Sequence, residues 1–130
     1  MSVFRVTIEV QDARGEGFQP LEALVDTGAI LRRGSGRAWT WIPRDILARL
    51  GYTPTLKRSL RTADNRIIER DAGWVHLRIG EETSPSLCIF GDEASEVLLG
   101  AFTLEGFSLA PDPVNERLVP VVGLLMTLLD

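Results

Sequence analysis

The sequence predicts a mostly β domain, a small barrel or sandwich with little helix. Apolar residues alternate with polar or charged ones from Val3 to Val10, which is typical of a strand with one buried face. Two further strand-like segments, Leu56 to Thr62 and Arg66 to Asp71, flank the tripeptide Ala63-Asp64-Asn65. Several short strands at such close spacing favour a barrel or a sandwich.

The N-terminal half predicts a hairpin followed by one short helix. The Gly-rich segment Asp12 to Gly17 has turn composition and leads to a second strand at Leu21 to Val25. A helix is predicted from Pro43 to Gly51, because a proline stands at a plausible first helical position, apolar residues follow at helical spacing, and a glycine closes the segment.

The C-terminal half predicts further strands. Asp64 and Asn65 tolerate the positive φ of a tight turn, so the segments around them form a hairpin with a projecting tip. From Trp74 to Ile79 small apolar residues alternate with larger or polar ones, which places His76 on the more polar face. Short strands are also expected at Ser86 to Phe90, Val97 to Leu99 and Leu118 to Val122, with a second short helix beginning near Thr103.

Composition limits the possible functions. A chain of 130 residues with 45% hydrophobic and 25% charged residues is typical of one globular domain, here residues 1–130. Its net charge of −4 argues against a nucleic-acid partner. The apolar segment Val119 to Leu129 is interrupted and shorter than the roughly 20 residues that span a bilayer, and no signal peptide is evident. We therefore expect a cytoplasmic protein with no membrane partner.

Metal and disulfide chemistry are also unsupported. Cys88 is the only cysteine, so the chain cannot form an internal disulfide, and with a single histidine it cannot assemble a Cys/His zinc cluster. Cys88 itself stands between apolar neighbours and is expected to be an inert buried thiol. His76 has no acid or nucleophile at matched spacing and is expected at the surface or in an interface.

The segment that suggests chemistry is an apolar strand that runs directly into Asp26, Thr27 and Gly28. A carboxylate just beyond a buried strand is held rigidly and is partly desolvated. The glycine allows a close turn beneath it, and the threonine hydroxyl can fix that turn. These properties suit a carboxylate that transfers protons. Asp64, Asp92 and Asp112 all lack this context.

The segment Asp26-Thr27-Gly28-Ala29 after an apolar strand resembles the catalytic loop of the retropepsin-like (clan AA) aspartyl proteases, in particular the small prokaryotic single-domain type. Three more segments resemble that family in order and spacing. Trp41 to Leu47 resembles the element after the catalytic loop, the hairpin at about 56–72 resembles the flap, and Val97 to Gly100 resembles the apolar pair plus glycine that braces the loop.

The resemblance implies a small closed β-barrel with one or two short helices and an aspartic endopeptidase that acts as a homodimer on peptide or protein substrates. Two carboxylates, one from each subunit, would share a proton and activate one water, with no cofactor or metal. The segment Val119 to Leu129 would supply apolar interface. The implied residues are, for catalysis, Asp26, Thr27 and Gly28; for substrate binding, Ala29, Ala63, Asp64 and Asn65; and for support of the site, Leu98, Leu99 and Gly100.

The sequence departs from the family pattern at residues 30–40, an inserted loop directly after the catalytic segment. If this insertion loops out, the site gains a basic rim that carries a tryptophan; if it does not, the carboxylates are misplaced. The alternative function is therefore a catalytically silent dimeric peptide- or protein-binding module of the same fold. The plainer interpretations are an ordinary strand-to-turn connection at Asp26 and an ordinary surface hairpin at Asp64.

Overall fold

The structure is a computed structural model that describes residues 3–26, 39–62 and 64–122. The strands are β1 (Val3–Gln11), β2 (Phe18–Asp26), β3 (Thr40–Pro43), β4 (Leu56–Arg61), β5 (Ile67–Ile79), β6 (Glu82–Gly91), β7 (Val97–Leu98), β8 (Leu109–Asp112) and β9 (Arg117–Pro120). The helices are α1 (Arg44–Arg49) and α2 (Ala101–Gly106). Within the described ranges neither helix could cross a membrane, being too short and not apolar enough.

Six strands form a closed barrel in the order β1-β2-β7-β3-β6-β5. The ring closes where β1 returns to β5, with Glu9 opposite Arg78 and Val10 opposite Leu77. Strand β4 pairs with the first half of β5, beyond the ring, and so forms a hairpin that extends from the barrel. Strands β8 and β9 form a separate two-stranded sheet.

The barrel core follows from strand alternation, because every second side chain points inward. On β5, Val75 and Leu77 are fully buried whereas Trp74 and His76 are exposed, as the sequence predicts. The other strands contribute in the same way, and the two helices close the core with Leu47 and Leu104. The buried residues of this core include Phe4, Ile8, Val10, Ala23, Val25, Ile42, Cys88, Phe90, Val97 and Leu99.

A second apolar cluster lies on the outer face of the barrel and includes residues of the β4–β5 hairpin. We call it the outer cluster. Its buried residues are Leu60, Ala72 and Ile89, and the partly buried residues packed against them are Trp39, Trp41, Leu56, Ile68 and Leu87. The barrel strands β3, β5 and β6 therefore bury side chains on both faces.

Polar contacts secure the seam at which the barrel closes. The Tyr52 hydroxyl donates to the carbonyl of Gln11 at 2.6 Å and accepts from the backbone N–H of His76 at 3.2 Å, so it joins β1 to β5 beyond their short ladder. Nearby, Arg78 donates to both carboxylate oxygens of Glu9 at 2.8 Å. The guanidinium of Arg78 also lies 3.7 Å from the ring centre of Phe18.

Several predicted boundaries are wrong. Trp41 and Ile42 belong to strand β3, and Pro43 is its last residue with an extended ψ of 135°, so the helix begins only at Arg44. A short apolar run does not distinguish a buried strand from a helix, which explains the error. Strand β2 begins at Phe18 rather than Leu21, and strand β8, which contains Pro111, was not predicted.

Other predictions differ by small shifts or lie outside the described residues. The last strand runs from Arg117 to Pro120, and the second helix begins at Ala101, two residues before Thr103. Of the predicted insertion at 30–40, only Trp39 and Thr40 are described. Of the apolar segment Val119 to Leu129, the residues from 123 onward lie outside the description.

Candidate active site

Asp26 is the last residue of β2 and pairs with Val3 on β1. Val25, immediately before it, is fully buried in the barrel core, whereas Asp26 is half-buried. Because side chains alternate along a strand, Asp26 and Leu24 lie on the outer face. Thr27, Gly28 and Ala29, the remainder of the predicted catalytic segment, lie outside the described residues.

The end of β2 is held by β7. The two strands are parallel, with Ala23 opposite Val97 and Leu24 opposite Leu98. The backbone N–H of Leu99 donates to the carbonyl of Leu24 at 3.0 Å, two residues before Asp26. Leu98 and Leu99 therefore lie beside the strand that carries the candidate catalytic acid. Their predicted role in supporting the site remains a prediction.

A buried set of three hydroxyls anchors the segment after β7. The backbone N–H of Gly100 donates to Thr40 Oγ1 at 3.0 Å, and Thr40 Oγ1 lies 2.6 Å from Thr103 Oγ1. Thr103 Oγ1 is also 2.6 Å from Ser86 Oγ. These bonds link β3, β6 and α2 to Gly100, so the chain beside Asp26 is fixed by three elements rather than by β7 alone.

A continuous apolar row leads across the outer face from β2 to the hairpin. Residues paired in register share a face of the sheet. Reading the pairs from β2 outward, the row consists of Leu24, Leu98, Trp41, Ile89, Ala72 and Leu56. Asp26 thus stands at the edge of an apolar strip that ends on β4.

Trp41 is the largest side chain of this row and is held in place from two sides. Its indole Nε1 donates to Ser95 Oγ at 2.9 Å, and Ser95 in turn donates to the carbonyl of Asp92. A Cβ at Gly91 would lie only 1.9 Å from Trp41 Nε1, so the glycine is needed for the ring to lie over the backbone. The floor of the strip is therefore rigid at this point.

The tip of the hairpin is a tight turn fixed by its own polar residues. Asn65 has a positive φ of 66°, as Asx residues at such a turn allow, and its amide oxygen accepts from Arg61 at 2.7 Å. The Thr62 hydroxyl donates to Asp64, and Arg66 Nε donates to the same carboxylate at 2.9 Å. The Thr62 bond, more than the Arg66 bond, lowers the pKa of Asp64.

These bonds make the tip compact, but they occupy the side chains that were predicted to bind substrate. Asp64 and Asn65 each have partners within the turn, and Ala63 lies outside the described residues. The inner face of the hairpin is more informative. Arg58, between Leu56 and Leu60 on β4, places its guanidinium 6.0 Å from the ring centre of Trp39. Trp39 in turn meets Phe102 edge to face, with ring centres 5.9 Å apart.

Two other features could carry reactive groups, namely the thiol of Cys88 and a cleft beside α1. Cys88 is fully buried in the barrel core, and burial raises the pKa of its thiol to about 12, as expected for an inert cysteine. A cleft of about 570 Å³ lies between α1 and the base of the hairpin, where Asp45, Arg70 and Asp92 are among its lining residues. None of the predicted site residues lines this cleft. Within the described residues no group of three His, Cys, Asp or Glu side chains could hold a metal ion.

The structure thus places Asp26, Leu98, Leu99 and Gly100 in one neighbourhood, and the outer face beside them leads to the hairpin. Sequence reasoning missed the contributions of Thr40 and Trp41 to this neighbourhood. The alternation of Trp39 and Trp41 is the available signal, because residues two apart share a strand face. The predictions from sequence instead place Trp39 in the inserted loop and Trp41 in the segment that contains the helix.

Comparisons with known proteins agree with the fold. No family model matches the chain, and no curated protein matches its sequence. Among solved structures, it is similar to the solution structure of simian foamy virus (mac) protease, with a TM-score of 0.52 and 15% identity. The match covers 83% of this chain and 99% of the viral chain. The predicted fold, a small closed retropepsin-like β-barrel with short helices, is confirmed.

Proposed function

We propose that the protein is an aspartic endopeptidase that hydrolyses peptide bonds as a homodimer, each subunit giving one Asp26. The observation that carries the proposal is the position of Asp26. It ends a strand whose inward residues Ala23 and Val25 are buried in a retropepsin-like barrel, and it lies on the same face as the apolar row that reaches the β4–β5 hairpin. A carboxylate in that position is rigid, is partly shielded from water, and lies next to an apolar strip that can receive side chains of an extended peptide.

The chemistry follows from two carboxylates placed close together. Two such groups within a few Å do not both ionise readily, so they hold one proton between them. The ionised group removes a proton from a bound water, the protonated group polarises the scissile carbonyl, and the water attacks directly. Thr27 and Gly28 complete the loop beneath the acid. No covalent enzyme intermediate forms.

The second carboxylate comes from another copy of the chain. Among the other acids, Asp64 is held within the hairpin turn, and Asp92 lies 3.3 Å from Arg70 at the other cleft. Both acids are therefore paired with basic residues of their own surroundings. Exposed apolar side chains at the C-terminal end of the description, Val121 at 46% and Val122 at 87%, suit an interface between two copies.

The substrate is an extended peptide segment bound along β4, the last strand of the seven-stranded sheet, on the face that carries the apolar row. The residues Leu24, Leu98, Trp41 and Leu56 of that row are only partly buried, and β4 provides backbone groups with which an extended segment can pair. Such a surface favours unstructured proteins over folded ones, because the peptide must bind as a single strand.

The test is cleavage of unfolded casein from acidic to neutral pH, at protein concentrations that favour dimers. We expect cleavage by the wild type and none by Asp26→Asn. The matched control is Asp71→Asn, which makes the same chemical change at an exposed position on β5 and should cleave as the wild type does. A chelator should have no effect. If a well-folded dimer binds casein without cleaving it, the protease proposal is wrong, and the dimeric peptide-binding module takes its place.

A further inference from the structure

We propose that Arg58 selects an acidic side chain in the bound peptide, so that the preferred substrates carry Glu or Asp at the position that lies beside Arg58 on β4. This inference rests on the proposed function and adds the substrate class. Arg58 is half-buried on the inner face of the hairpin, between Leu56 and Leu60, and both of these leucines belong to the outer cluster. Its charged group is therefore at the margin of the apolar strip.

The charge on this face is not balanced by the residues around it. Arg58 and Arg70 are direct cross-strand partners, which places two cations side by side on one face. Like charges in that arrangement destabilise a strand pair unless an anion lies near them. Arg70 has such an anion, since its Nε lies 3.3 Å from Asp92 Oδ1. Among the described residues, Arg58 has no carboxylate within 4.0 Å.

Arg58 also retains most of its hydrogen-bonding capacity. A guanidinium has five N–H donors, and in the described part of the chain only a bond to the carbonyl of Lys57, at 3.0 Å, is made. A substrate carboxylate would supply both the missing charge and the acceptor oxygens.

The aromatic residues around Arg58 restrict the position of its guanidinium in a way that suits the binding of a carboxylate. Its guanidinium stands 6.0 Å from the ring centre of Trp39, and Trp39 is itself held by Phe102. A cation–π contact at this distance restrains the side chain while leaving its N–H groups available. A carboxylate that approaches along the apolar strip meets a positioned cation at a partly desolvated site, where the attraction is stronger than in open water.

The distribution of charge supports a preference for an acidic side chain at one position of the peptide rather than for acidic substrates in general. The hairpin segment 56–72 contains five basic and three acidic residues, whereas the whole chain has a net charge of −4. On the opposite side of the hairpin, Lys57 lies 3.7 Å from Glu69, and at the tip Arg66 is bound to Asp64. Arg58 is thus the hairpin cation on the face of the apolar row that has no acidic partner among the described residues.

The test uses a mixture of unstructured synthetic peptides in which Glu, Gln and Lys occur equally at every position, with cleavage sites read by mass spectrometry. The wild type should favour Glu over Gln at one fixed distance from the cut by about fivefold, and should disfavour Lys there. Arg58→Met keeps the apolar contact with Trp39 and should abolish the Glu preference while still cleaving. Lys57→Met loses the same charge from the opposite face and should keep the preference.

The preference should also diminish in 1 M salt and below about pH 4.5, where the substrate carboxyl becomes neutral. If the wild type cleaves without favouring Glu at any position, or if Arg58→Met keeps the preference, this inference is overturned while the protease proposal stands. If a folded dimer cleaves none of the peptides, the proposed function is overturned and the inference with it.

Discussion

At the scale of single residues, the buried hydroxyl of Thr103 is the most informative group near the candidate site. It is 3% exposed and is shared by Thr40 and Ser86. Thr103→Val keeps the shape but leaves two buried hydroxyls with one partner fewer, so we expect a loss of about 2 kcal/mol in the free energy of unfolding. Equilibrium unfolding in urea measures this loss of free energy. Thr83→Val, at an exposed position on β6, should change stability by less than about 0.5 kcal/mol.

Because the same hydroxyls fix Gly100, the Thr103 variant should also lose activity beyond what its stability explains. We expect kcat to fall while the protein is still folded at the assay temperature, since the segment beside β2 would be less well positioned. Unchanged kcat in a destabilised but folded variant would show that the hydroxyl set is structural only.

A second residue-scale prediction concerns pH and the pair of Glu9 and Arg78. The hydrogen bond from Arg78 lowers the pKa of Glu9 below its ordinary 4.5. The folded state therefore binds this proton less readily than the unfolded state, and the stability from the pair is present above about pH 4.5 and is lost as the pH falls through the lowered pKa. Stability followed by thermal unfolding should decline below pH 4.5.

The matched variant for this effect is Glu9→Gln, which cannot be protonated. Its stability should be lower than that of the wild type at neutral pH and should decline less steeply in acid. Arg5 and Glu96 form a similar pair at 2.9 Å that lowers the pKa of Glu96, so part of the acid dependence should remain. Identical acid profiles for wild type and variant would contradict a role for Glu9.

At the scale of elements, the sequence predicted the strands whose alternation is strict. Strand β1 and the exposed and buried faces of β5 agree with the structure, because a period of two is a direct consequence of strand geometry. Strand β3 could not be recognised in this way, since it is short and is buried on both faces. Strand β8 contains Pro111, and proline is depleted in strands, so no local pattern indicates it.

The outer cluster joins the hairpin to the barrel. Strand alternation alone does not predict this cluster, because alternation shows which residues share a face but not which residues pack against that face. Leu60 is 6% exposed and belongs to the same buried cluster as Ile89 and Ala72. Leu60→Ala should destabilise the protein by about 2 kcal/mol and loosen the hairpin, so hydrogen exchange of the β4 amides should accelerate. KM for casein should rise.

The control for this prediction lies on the same hairpin. Ile67 is 64% exposed at the start of β5, and Ile67→Ala should leave stability unchanged within about 0.5 kcal/mol. If both variants have the same hydrogen-exchange rates in β4 as the wild type, the outer cluster does not hold the hairpin on the barrel.

At the scale of the whole molecule, closure of the barrel depends on contacts that no local sequence pattern reveals. Tyr52 follows helix α1, yet its hydroxyl joins Gln11 on β1 to His76 on β5. The candidate site likewise depends on contacts between residues that are far apart in the sequence. Asp26 stands out in the sequence because of its strand and glycine context, whereas Thr40, Trp41 and Arg58 come to the site only through the pairing of distant strands.

The property proposed for the whole molecule is that its activity requires two copies of the chain. This requirement can be tested without a structure of the dimer. If each active unit needs one Asp26 from each subunit, a mixed dimer with one Asp26→Asn subunit is inactive. Wild type and variant, combined at dilution and then concentrated together, should show activity that falls as the square of the wild-type fraction, to about one quarter in an equal mixture.

The control mixture contains wild type and Asp71→Asn in the same proportions, and it should keep full activity. A linear fall with Asp26→Asn, to about one half in an equal mixture, would mean that each chain cleaves independently. It would also separate the two parts of the proposal, because a linear fall leaves Asp26 essential while removing the need for a second subunit. The retropepsin-like barrel would then have to provide its second catalytic group from within the same chain, and Asp26 alone would no longer explain the chemistry.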